Sequence, residues 1–300
     1  MRSKDKEMPF IEHIRELRDR VKVIFLALII STIFWLAFPA DLNIDPISGL
    51  YRPFISVLIE KVKTDIAGDA VNLIAGRITS PLELYFLGAI FLGMITSSPI
   101  IAYEIYAYID PALYPHERRI IYGFVAAFTG LFLVGVAFGY FVAAPLIFRT
   151  MLIFFEFTGA EPLVLLMDFY ALVFTTVLLI GLVFTAPAVF VVLVRFGVVS
   201  TRLFRKNRLY IYGGLYIIIA LITPDGWLVG NSVLFLPLVL LLELSVIIAR
   251  KFEKRREAEL QLLAKENPGE NPEQSYKCKF CGEAMEEGEK FCPNCGRAQG

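Results

Sequence analysis

The chain has 300 residues, of which 57% are hydrophobic and 14% aromatic, and its 29 basic and 29 acidic residues give a net charge of zero. This composition excludes an ordinary soluble domain, because the apolar residues also gather into long, separated runs. All four cysteines lie near the C-terminus. We therefore predict an all-α polytopic membrane protein with a small C-terminal module.

Residues 1–22 are predicted to form a cytoplasmic amphipathic helix. Pro9 suits the first position of a helix, and apolar residues follow it at helical spacing. This helix leads directly into the first predicted span, 23–38. Residues 39–79 then form a long loop, in which 53–62 is typical of a small amphipathic helix lying on the membrane surface.

Five further apolar runs predict membrane-spanning helices at 82–109, 120–146, 169–194, 209–222 and 228–249. As a helix, the run 82–109 is about 42 Å long, which exceeds the hydrocarbon core and predicts a tilt or a bend at Pro99. Gly135 and Gly139 form a small-xxx-small pair, which indicates close helix packing. The run 209–222 covers only about 21 Å, so a re-entrant hairpin is an alternative to a full span.

The distribution of basic residues predicts that both termini lie in the cytoplasm. Lysine and arginine are concentrated before the first span, in the turn after the second, and after the fourth and the sixth. The intervening loops carry few basic residues or balance them with acids. By the positive-inside rule, six spans satisfy this bias, and the same bias argues against the re-entrant hairpin.

The segment 97–119, SSPIIAYEIYAYIDPALYPHERR, is predicted to be the working surface. It begins in a membrane helix, becomes rich in tyrosine, and ends in a polar turn where Pro111 and Pro115 prevent a helix from continuing. A carboxylate, Glu117, follows in this short hairpin.

Several motifs together resemble those of the TatC family, the core of the twin-arginine protein translocase. They are HIRELR at 13–18, the hairpin ending in YIDPALYPHERR, GVVSTRLFRKNRLY, ITPDG and LLLELSVIIAR. Pro53 matches a proline of the family's first external loop. The resemblance covers residues 9–252 in collinear order. It implies six helices forming a curved, concave wall, with short fifth and sixth helices.

The resemblance also implies a task and partners. Members of the family bind the paired arginines of signal peptides on folded cargo proteins at the cytoplasmic face. They recruit small single-span partner subunits, and the membrane potential drives export. We therefore expect a homo- or hetero-oligomer in the lipid bilayer of the cytoplasmic membrane, without enzymatic activity and without a nucleic-acid partner.

Two cytoplasmic carboxylates, Glu16 and Glu117, match the family's recognition positions. A carboxylate suits this role because it can make bidentate, charge-assisted contacts to a guanidinium. Either carboxylate can instead pair with a neighbouring arginine on a solvated face, but the collinear motifs favour the binding role. Arg18 is expected to orient Glu16, and Tyr108 to form an aromatic wall or part of the interfacial aromatic belt.

Other ionisable groups lie near the ends of the spans. Glu83 and Asp168 are expected to be solvated, whereas a snorkelling, a loop-paired and a functional role all stay open for Glu104. Glu243 matches an acid of the family's sixth helix, and it is expected to reach Arg250 and to act mainly as a structural residue.

The chain departs from the family in the fourth helix. The family commonly has a glutamate before a proline there, facing the concave cavity, and Thr185 stands at that position. A threonine forms hydrogen bonds but carries no charge, so the role of that acid must pass to the hydroxyl or to another residue. Thr185, Pro53 and Glu243 are thus the predicted partner and cavity residues.

The C-terminal tail is predicted to hold a structural Zn²⁺ ion. Residues 250–277 extend the last helix and form a linker, and 278–296 contain two CxxC pairs. Four thiolates complete a tetrahedral zinc site and leave no open position for catalysis. Disulfides are the alternative, which a reducing cytoplasm disfavours. A protein-interaction role for this zinc ribbon is a hypothesis, and its predicted ligands are Cys278, Cys281, Cys292 and Cys295.

Two other classes of function fit less well. A small-molecule secondary transporter with a cytoplasmic zinc-ribbon module would also have six spans, but the chain has no internal repeat and no pair of interrupted helices meeting at midplane. An intramembrane enzyme would need HExxH, a nucleophile with a base, or paired aspartates in the membrane. Both histidines, His13 and His116, lie outside the spans. We therefore predict that the protein is not an enzyme and needs no cofactor for transport.

Overall fold

A computed structural model describes residues 10–40, 52–68, 71–109, 118–195, 199–222, 228–266, 276–277 and 284–285. The chain forms two compact units, and the boundary in the sequence falls between Ala249 and Arg250. The first unit consists mainly of apolar helices. The second contains the polar end of the last long helix and a two-stranded hairpin.

Within the described residues, five stretches of helix are long and apolar enough to cross a membrane: Ile14–Ala37, Ser80–Tyr108, Tyr122–Thr158, Leu166–Arg195 and Asn231–Lys254. A shorter apolar helix, Arg208–Leu221, precedes the last of them. The prediction of a polytopic helical protein is therefore confirmed. The helices that contain these stretches are α1 (Phe10–Ala37), α3 (Ser80–Ile109), α4 (Arg118–Phe138), α5 (Ala144–Thr158), α6 (Leu166–Phe184), α7 (Ala186–Arg195), α9 (Arg208–Ile222) and α10 (Leu228–Glu266).

The start of the second helix, α2 (Phe54–Val62), is tied to the end of α1. The backbone N–H of Phe54 donates to the carbonyl of Phe38 over 2.9 Å. Pro53 precedes α2 in the extended conformation of an N-cap residue, and its carbonyl accepts hydrogen bonds from both the backbone N–H and the hydroxyl of Ser56. The helix predicted in the first loop is thus confirmed, and its position on the membrane surface stays a prediction.

Helix α3 continues through Pro99 because a neighbouring side chain replaces the missing hydrogen bond. A proline has no N–H, so the carbonyl four residues earlier, on Ile95, loses its usual helical donor. The hydroxyl of Ser98 donates to this carbonyl over 2.8 Å. Serine hydroxyls commonly satisfy backbone groups that proline frees inside membrane helices.

The third apolar stretch is longer than the sequence prediction, which ends it at residue 146. Helix α4 continues through a π-helical turn, Gly139–Ala143, into α5. The sequence is mostly apolar up to Gly159, whose φ of 66° ends the helix in the left-handed conformation. Arg149 and Glu156 therefore lie within a helix and not in the predicted loop.

Two short strands, β1 (Asn72–Ile74) and β2 (Leu163–Leu165), form a parallel pair that the sequence analysis did not predict. They join the segment before α3 to the segment before α6. Each strand has three residues, which is too short to show the alternation of apolar and polar residues that identifies strands in a sequence.

Helices α3, α4 and α6 form the packed centre of the first unit. The rings of Phe91 and Phe174 stack with their centroids 4.5 Å apart, which joins α3 to α6. A Cβ added at Gly139, the first residue of the π-helical turn after α4, would lie 3.0 Å from the Cα of Val177, so this turn and α6 approach each other closely. The small-xxx-small prediction is confirmed.

Helix α1 packs mainly against α3. Its outer face carries large apolar side chains that are more than half exposed, as expected for a helix facing lipid. These are Phe25, Leu26, Ile30 and Ile33.

Two short elements complete the description. Helix α8 (Thr201–Lys206) precedes α9, and the hydroxyl of Ser200 caps it by accepting from the backbone N–H of Arg202. In the tail, β3 (Tyr276–Lys277) pairs antiparallel with β4 (Ala284–Met285).

Candidate functional site

The candidate binding site lies where α1 begins and α3 ends. Arg20 contacts Glu104 near these two ends, and further along the interface Trp35 donates a hydrogen bond to Thr96. Residue numbers thus rise along α1 as they fall along α3, so the two helices are antiparallel. This arrangement brings the HIRELR segment beside the last turns of the tyrosine-rich helix.

Three charged side chains form a cluster at this position, which we name the charge cluster: Glu16, Arg20 and Glu104. The guanidinium of Arg20 donates to Oε1 of Glu16 from Nε over 3.0 Å and from Nη2 over 2.5 Å. Its third nitrogen, Nη1, donates to Oε2 of Glu104 over 3.1 Å. The side chains of Glu16 and Glu104 are only 21% and 11% exposed. The ion pairs are therefore shielded from water, which strengthens them relative to surface pairs.

The second carboxylate oxygen of Glu16 remains available. Oε2 is buried, and it forms no hydrogen bond with any part of the chain that the structure describes. An ionised carboxylate can accept about four hydrogen bonds in all. Glu16 is thus held through one oxygen and offers the other as an acceptor.

The structure corrects the expectation that Arg18 orients Glu16. Residues two apart on a helix point to different sides, whereas residues four apart face each other. Arg20 therefore contacts Glu16, while Arg18 is 64% exposed and its Nε lies 3.5 Å from Oδ1 of Asp19.

Tyr108 lies one helical turn beyond Glu104 on α3, and this spacing places both residues on the same side of the helix. Tyr106 is buried, and its ring packs against that of Phe124 at a centroid distance of 5.3 Å, which joins the end of α3 to α4. Glu117 lies outside the described residues, directly before the first residue of α4.

Thr185 connects α6 to α7 and is buried. Its hydroxyl donates to the carbonyl of Leu182 over 2.6 Å, and its own carbonyl accepts from the backbone N–H of Ala188 over 3.0 Å. The hydroxyl proton is therefore used within the helix. Pro53 lies elsewhere, at the start of α2, where it is the N-cap residue and also pairs with Pro39 in an antiparallel bridge.

Glu243 pairs across two helices and not along its own. It accepts hydrogen bonds from the hydroxyl of Tyr212 and, over 3.3 Å, from Nη2 of Arg208. The expected partner, Arg250, lies two turns further along α10, whereas α9 brings Arg208 directly alongside. Glu243 thus links α9 to α10, in agreement with a structural role.

Where the structure describes the chain, no three His, Cys, Asp or Glu side chains are grouped so as to hold a metal ion. The predicted zinc ligands, Cys278, Cys281, Cys292 and Cys295, lie outside the described residues.

Arg20 and Glu104 are the site residues that sequence reasoning did not identify as such. The spacing of Glu16 and Arg20 was a usable signal, since acids and bases four residues apart pair on a helix. The contact with Glu104 spans 84 positions in the sequence, and no local pattern predicts it.

The chain matches the family model of TatC, the Sec-independent protein translocase protein, over residues 12–237. A TatC of Aquifex aeolicus (strain VF5) is 31% identical over 258 residues, which are 85% of this chain and 99% of that relative. TatCy of Bacillus subtilis (strain 168) is 30% identical over 251 residues, or 83% of this chain and 91% of the relative.

A solved structure shows the same architecture. The crystal structure of a twin arginine translocase receptor, TatC, superposes with a TM-score of 0.63 at 27% sequence identity, and the match covers 80% of this chain and 99% of that one. Family model, relatives and structure agree over the membrane part, which supports a protein translocase and not the alternative of a small-molecule transporter. The chain therefore belongs to the TatC family and is a non-enzymatic core subunit of a twin-arginine translocase.

Proposed function

We propose that this protein binds the twin-arginine signal peptides of folded precursor proteins at the cytoplasmic face of the cell membrane. The observation that carries the proposal is the state of Glu16, which is oriented by Arg20 and keeps Oε2 buried and unpaired within the described residues. A guanidinium entering this position would convert an unsatisfied oxygen into a charge-assisted contact.

Glu117 provides the second carboxylate in this proposal. It precedes α4 directly, and α4 packs beside the end of α3 through Phe124 and Tyr106. The two arginines of a peptide would thus each meet one acid. Tyr108 supplies an aromatic surface near the charge cluster, and Arg18, which is exposed, contacts the approaching peptide.

We further propose six spans with both termini in the cytoplasm, with α9 as the short fifth span. At 15 residues, α9 is about 22 Å long, and Glu243 joins it to α10 through Tyr212 and Arg208. This pairing supports α9 as a partner of α10. Basic residues concentrate in the segments that this topology places in the cytoplasm.

The remaining partners are small single-span translocase subunits, which we propose dock on the wall formed by the spans to build a homo- or hetero-oligomer. The membrane potential then drives export. Thr185, Pro53 and Glu243 are the proposed partner and cavity residues. Each is held by contacts of its own backbone or side chain, so we propose that they shape the docking surface.

For the tail, we propose a structural zinc ribbon at 278–296. The described hairpin supports this, because β3 ends one residue before Cys278 and β4 begins three residues after Cys281. In the sequence, the first CxxC pair therefore stands between two paired strands, a common arrangement for a zinc knuckle. The proposed ligands are the four cysteines, and the ion would stabilise a module too small to bury a sufficient core.

The test is photo-crosslinking of a twin-arginine precursor to the full-length protein in membranes. Glu16→Gln and Glu117→Gln should each weaken crosslinking by about tenfold or more, because each removes one charge-assisted contact. Asp19→Asn is the matched control, since Asp19 is an exposed acid on α1 that pairs with Lys22. A twin-lysine precursor should crosslink poorly to every variant. Unchanged crosslinking in both glutamate variants would reject the proposed site.

A further inference from the structure

The charge cluster contains one more carboxylate than the orientation of Glu16 requires. Helix geometry alone provides the contact between Glu16 and Arg20, which are four residues apart. Glu104 comes from a different helix and engages the remaining guanidinium nitrogen, Nη1. Two negative charges and one positive charge give the cluster a net charge of −1.

We propose that Glu104 is a positioning residue for arginine recognition: it neutralises Arg20, so that Glu16 retains an uncompensated negative charge for an incoming guanidinium. This inference rests on the signal-peptide binding proposed above and deepens it. Glu104 acts through Arg20 and does not itself contact the peptide.

The attraction of an incoming arginine depends on whether Glu104 is present in the charge cluster. Without Glu104, Glu16 and Arg20 form a neutral pair, and an approaching arginine is attracted by one and repelled by the other. With Glu104 in contact, the charge of Arg20 is offset and the attraction of Glu16 remains. The effect is substantial because all three side chains are largely buried, where the effective dielectric constant is lower than in water.

The geometric reason lies in the shape of the guanidinium. Its five N–H groups form a rigid, planar fork, so fixing one edge fixes the direction of the others. Glu104 fixes Nη1 from α3, and the opposite edge, Nε and Nη2, then meets Oε1 of Glu16. Arg20 is thereby kept away from Oε2, the oxygen that has no partner among the described residues.

A purely structural ion pair between α1 and α3 is the competing explanation. The interface has other close contacts far from the charge cluster, among them Trp35 with Thr96 and the approach of Thr32 to Gly93. A structural role would change stability and would leave the discrimination between arginine and lysine unaltered. The ratio of affinities for the two peptides therefore separates the explanations.

The experiment measures binding of a synthetic twin-arginine signal peptide and of its twin-lysine form to the full-length protein in lipid nanodiscs. Glu104→Gln should lower affinity for the arginine peptide about tenfold and affinity for the lysine peptide less, so the selectivity ratio falls. Glu104→Asp, which keeps the charge, should retain most of the affinity. Asp19→Asn removes one exposed charge from α1 and should leave both affinities unchanged.

A double variant tests the charge argument directly. Arg20→Gln combined with Glu104→Gln leaves Glu16 as the single charge, so the cluster keeps −1 and affinity should recover part of the loss caused by Glu104→Gln; recovery is incomplete because Glu16 then lacks the contact with Arg20 that orients it. If Glu104→Gln alone does not accumulate in membranes, the double variant is the test. An affinity for the arginine peptide above that of Glu16→Gln supports the inference, and an affinity as low as that of Glu16→Gln overturns it.

The remaining outcomes are also decisive. An unchanged selectivity ratio in Glu104→Gln, or an equal loss in Asp19→Asn, overturns the positioning role. Glu16→Gln, measured in parallel, separates this inference from the proposed function. Loss of binding in Glu16→Gln without loss in Glu104→Gln rejects the positioning role alone. No loss in Glu16→Gln rejects the binding site, and the inference with it.

Discussion

Gly135 on α4 faces Phe184 on α6 so closely that a Cβ at Gly135 would lie 2.7 Å from the Cβ of Phe184 and 2.9 Å from the Cα of Gly181. The obstructing atoms belong to the backbone or to the first side-chain carbon, so rotation of a side chain cannot relieve the clash. The spacing of these two helices therefore depends on the absence of a side chain at Gly135.

Gly135→Ala should destabilise the protein by about 1–3 kcal/mol, the usual cost of overpacking. The measurement is the thermal unfolding midpoint in detergent. Gly130→Ala is the matched control, because Gly130 lies on the same helix and a Cβ there meets nothing within 4 Å. Equal midpoints for the two variants would show that α4 and α6 can separate without cost.

Tyr140→Phe should raise the pKa of Asp65. The hydrogen bond from the Tyr140 hydroxyl, 2.6 Å long, and the positive charge of Lys61 both hold this pKa below its usual range. A carboxylate whose pKa is lower in the folded than in the unfolded state stabilises the protein at every pH above the ordinary aspartate pKa. This stabilisation is lost as the pH falls through the lower pKa of the folded state. The variant should thus be less stable at pH 7, and the difference should shrink below about pH 4.

Unfolding midpoints at several pH values test this prediction. Tyr122→Phe is the control, since Tyr122 is a largely exposed tyrosine of α4. A stability difference between Tyr140→Phe and the original protein that stays constant from pH 7 to pH 3 would contradict the role of Asp65.

Thr185→Val should perturb the association with single-span subunits only mildly. The hydroxyl donates to the carbonyl of Leu182, which also accepts the backbone N–H of Thr185, so the substitution leaves no buried group unpaired. We expect a loss of stability below about 1 kcal/mol. Co-purification of the partner subunits is the measurement.

Thr150→Val is the comparison for this variant, because the hydroxyl of Thr150 bonds to the carbonyl of Leu146 within its own helix in the same way. Complete loss of assembly in Thr185→Val alone would show that partners need this hydroxyl.

The purified protein should bind about one Zn²⁺ per chain through four thiolates. Cys278→Ser should lower the zinc content and expose the tail to proteases, because the metal provides most of the folding free energy of such a module. Metal analysis and limited proteolysis are the measurements. A chain with no zinc and a protease-resistant tail would disprove the ribbon. Deletion after Asn267 tests whether transport needs it.

Most of the helical architecture could be predicted from the sequence, because long apolar runs are the strongest signal that a chain carries. The errors concern where elements end and how they pair. The helix that ends before Gly159 extends beyond its predicted boundary at residue 146, because Arg149 and Glu156 do not break a helix. The pairing of β1 with β2 joins segments 91 positions apart, and nothing local encodes it.

The same distinction applies to the site. The place of Glu16 on the helix that leads into the first span could be predicted, since its motif is local, whereas its binding role stays a prediction. Its partner could have been predicted too, because helix geometry favours Arg20 over Arg18. Glu104 could not, because its contact with Arg20 depends on how α1 packs against α3. The prediction that Glu243 pairs with Arg250 was wrong for the same reason, because the observed partner, Arg208, comes from a neighbouring helix.

The exposed outer face of α1 makes the surrounding lipid a second packing partner for the helix that carries Glu16. Phe25, Leu26 and Ile33 are more than half exposed, so acyl chains contact most of the helix that α3 does not. Because much of this helix faces lipid and not protein, we expect its tilt to respond to the hydrocarbon thickness within the limits that packing against α3 allows. We therefore expect hydrophobic mismatch to shift Glu16 relative to the membrane surface, which would make bilayer thickness a variable in the proposed binding of signal peptides.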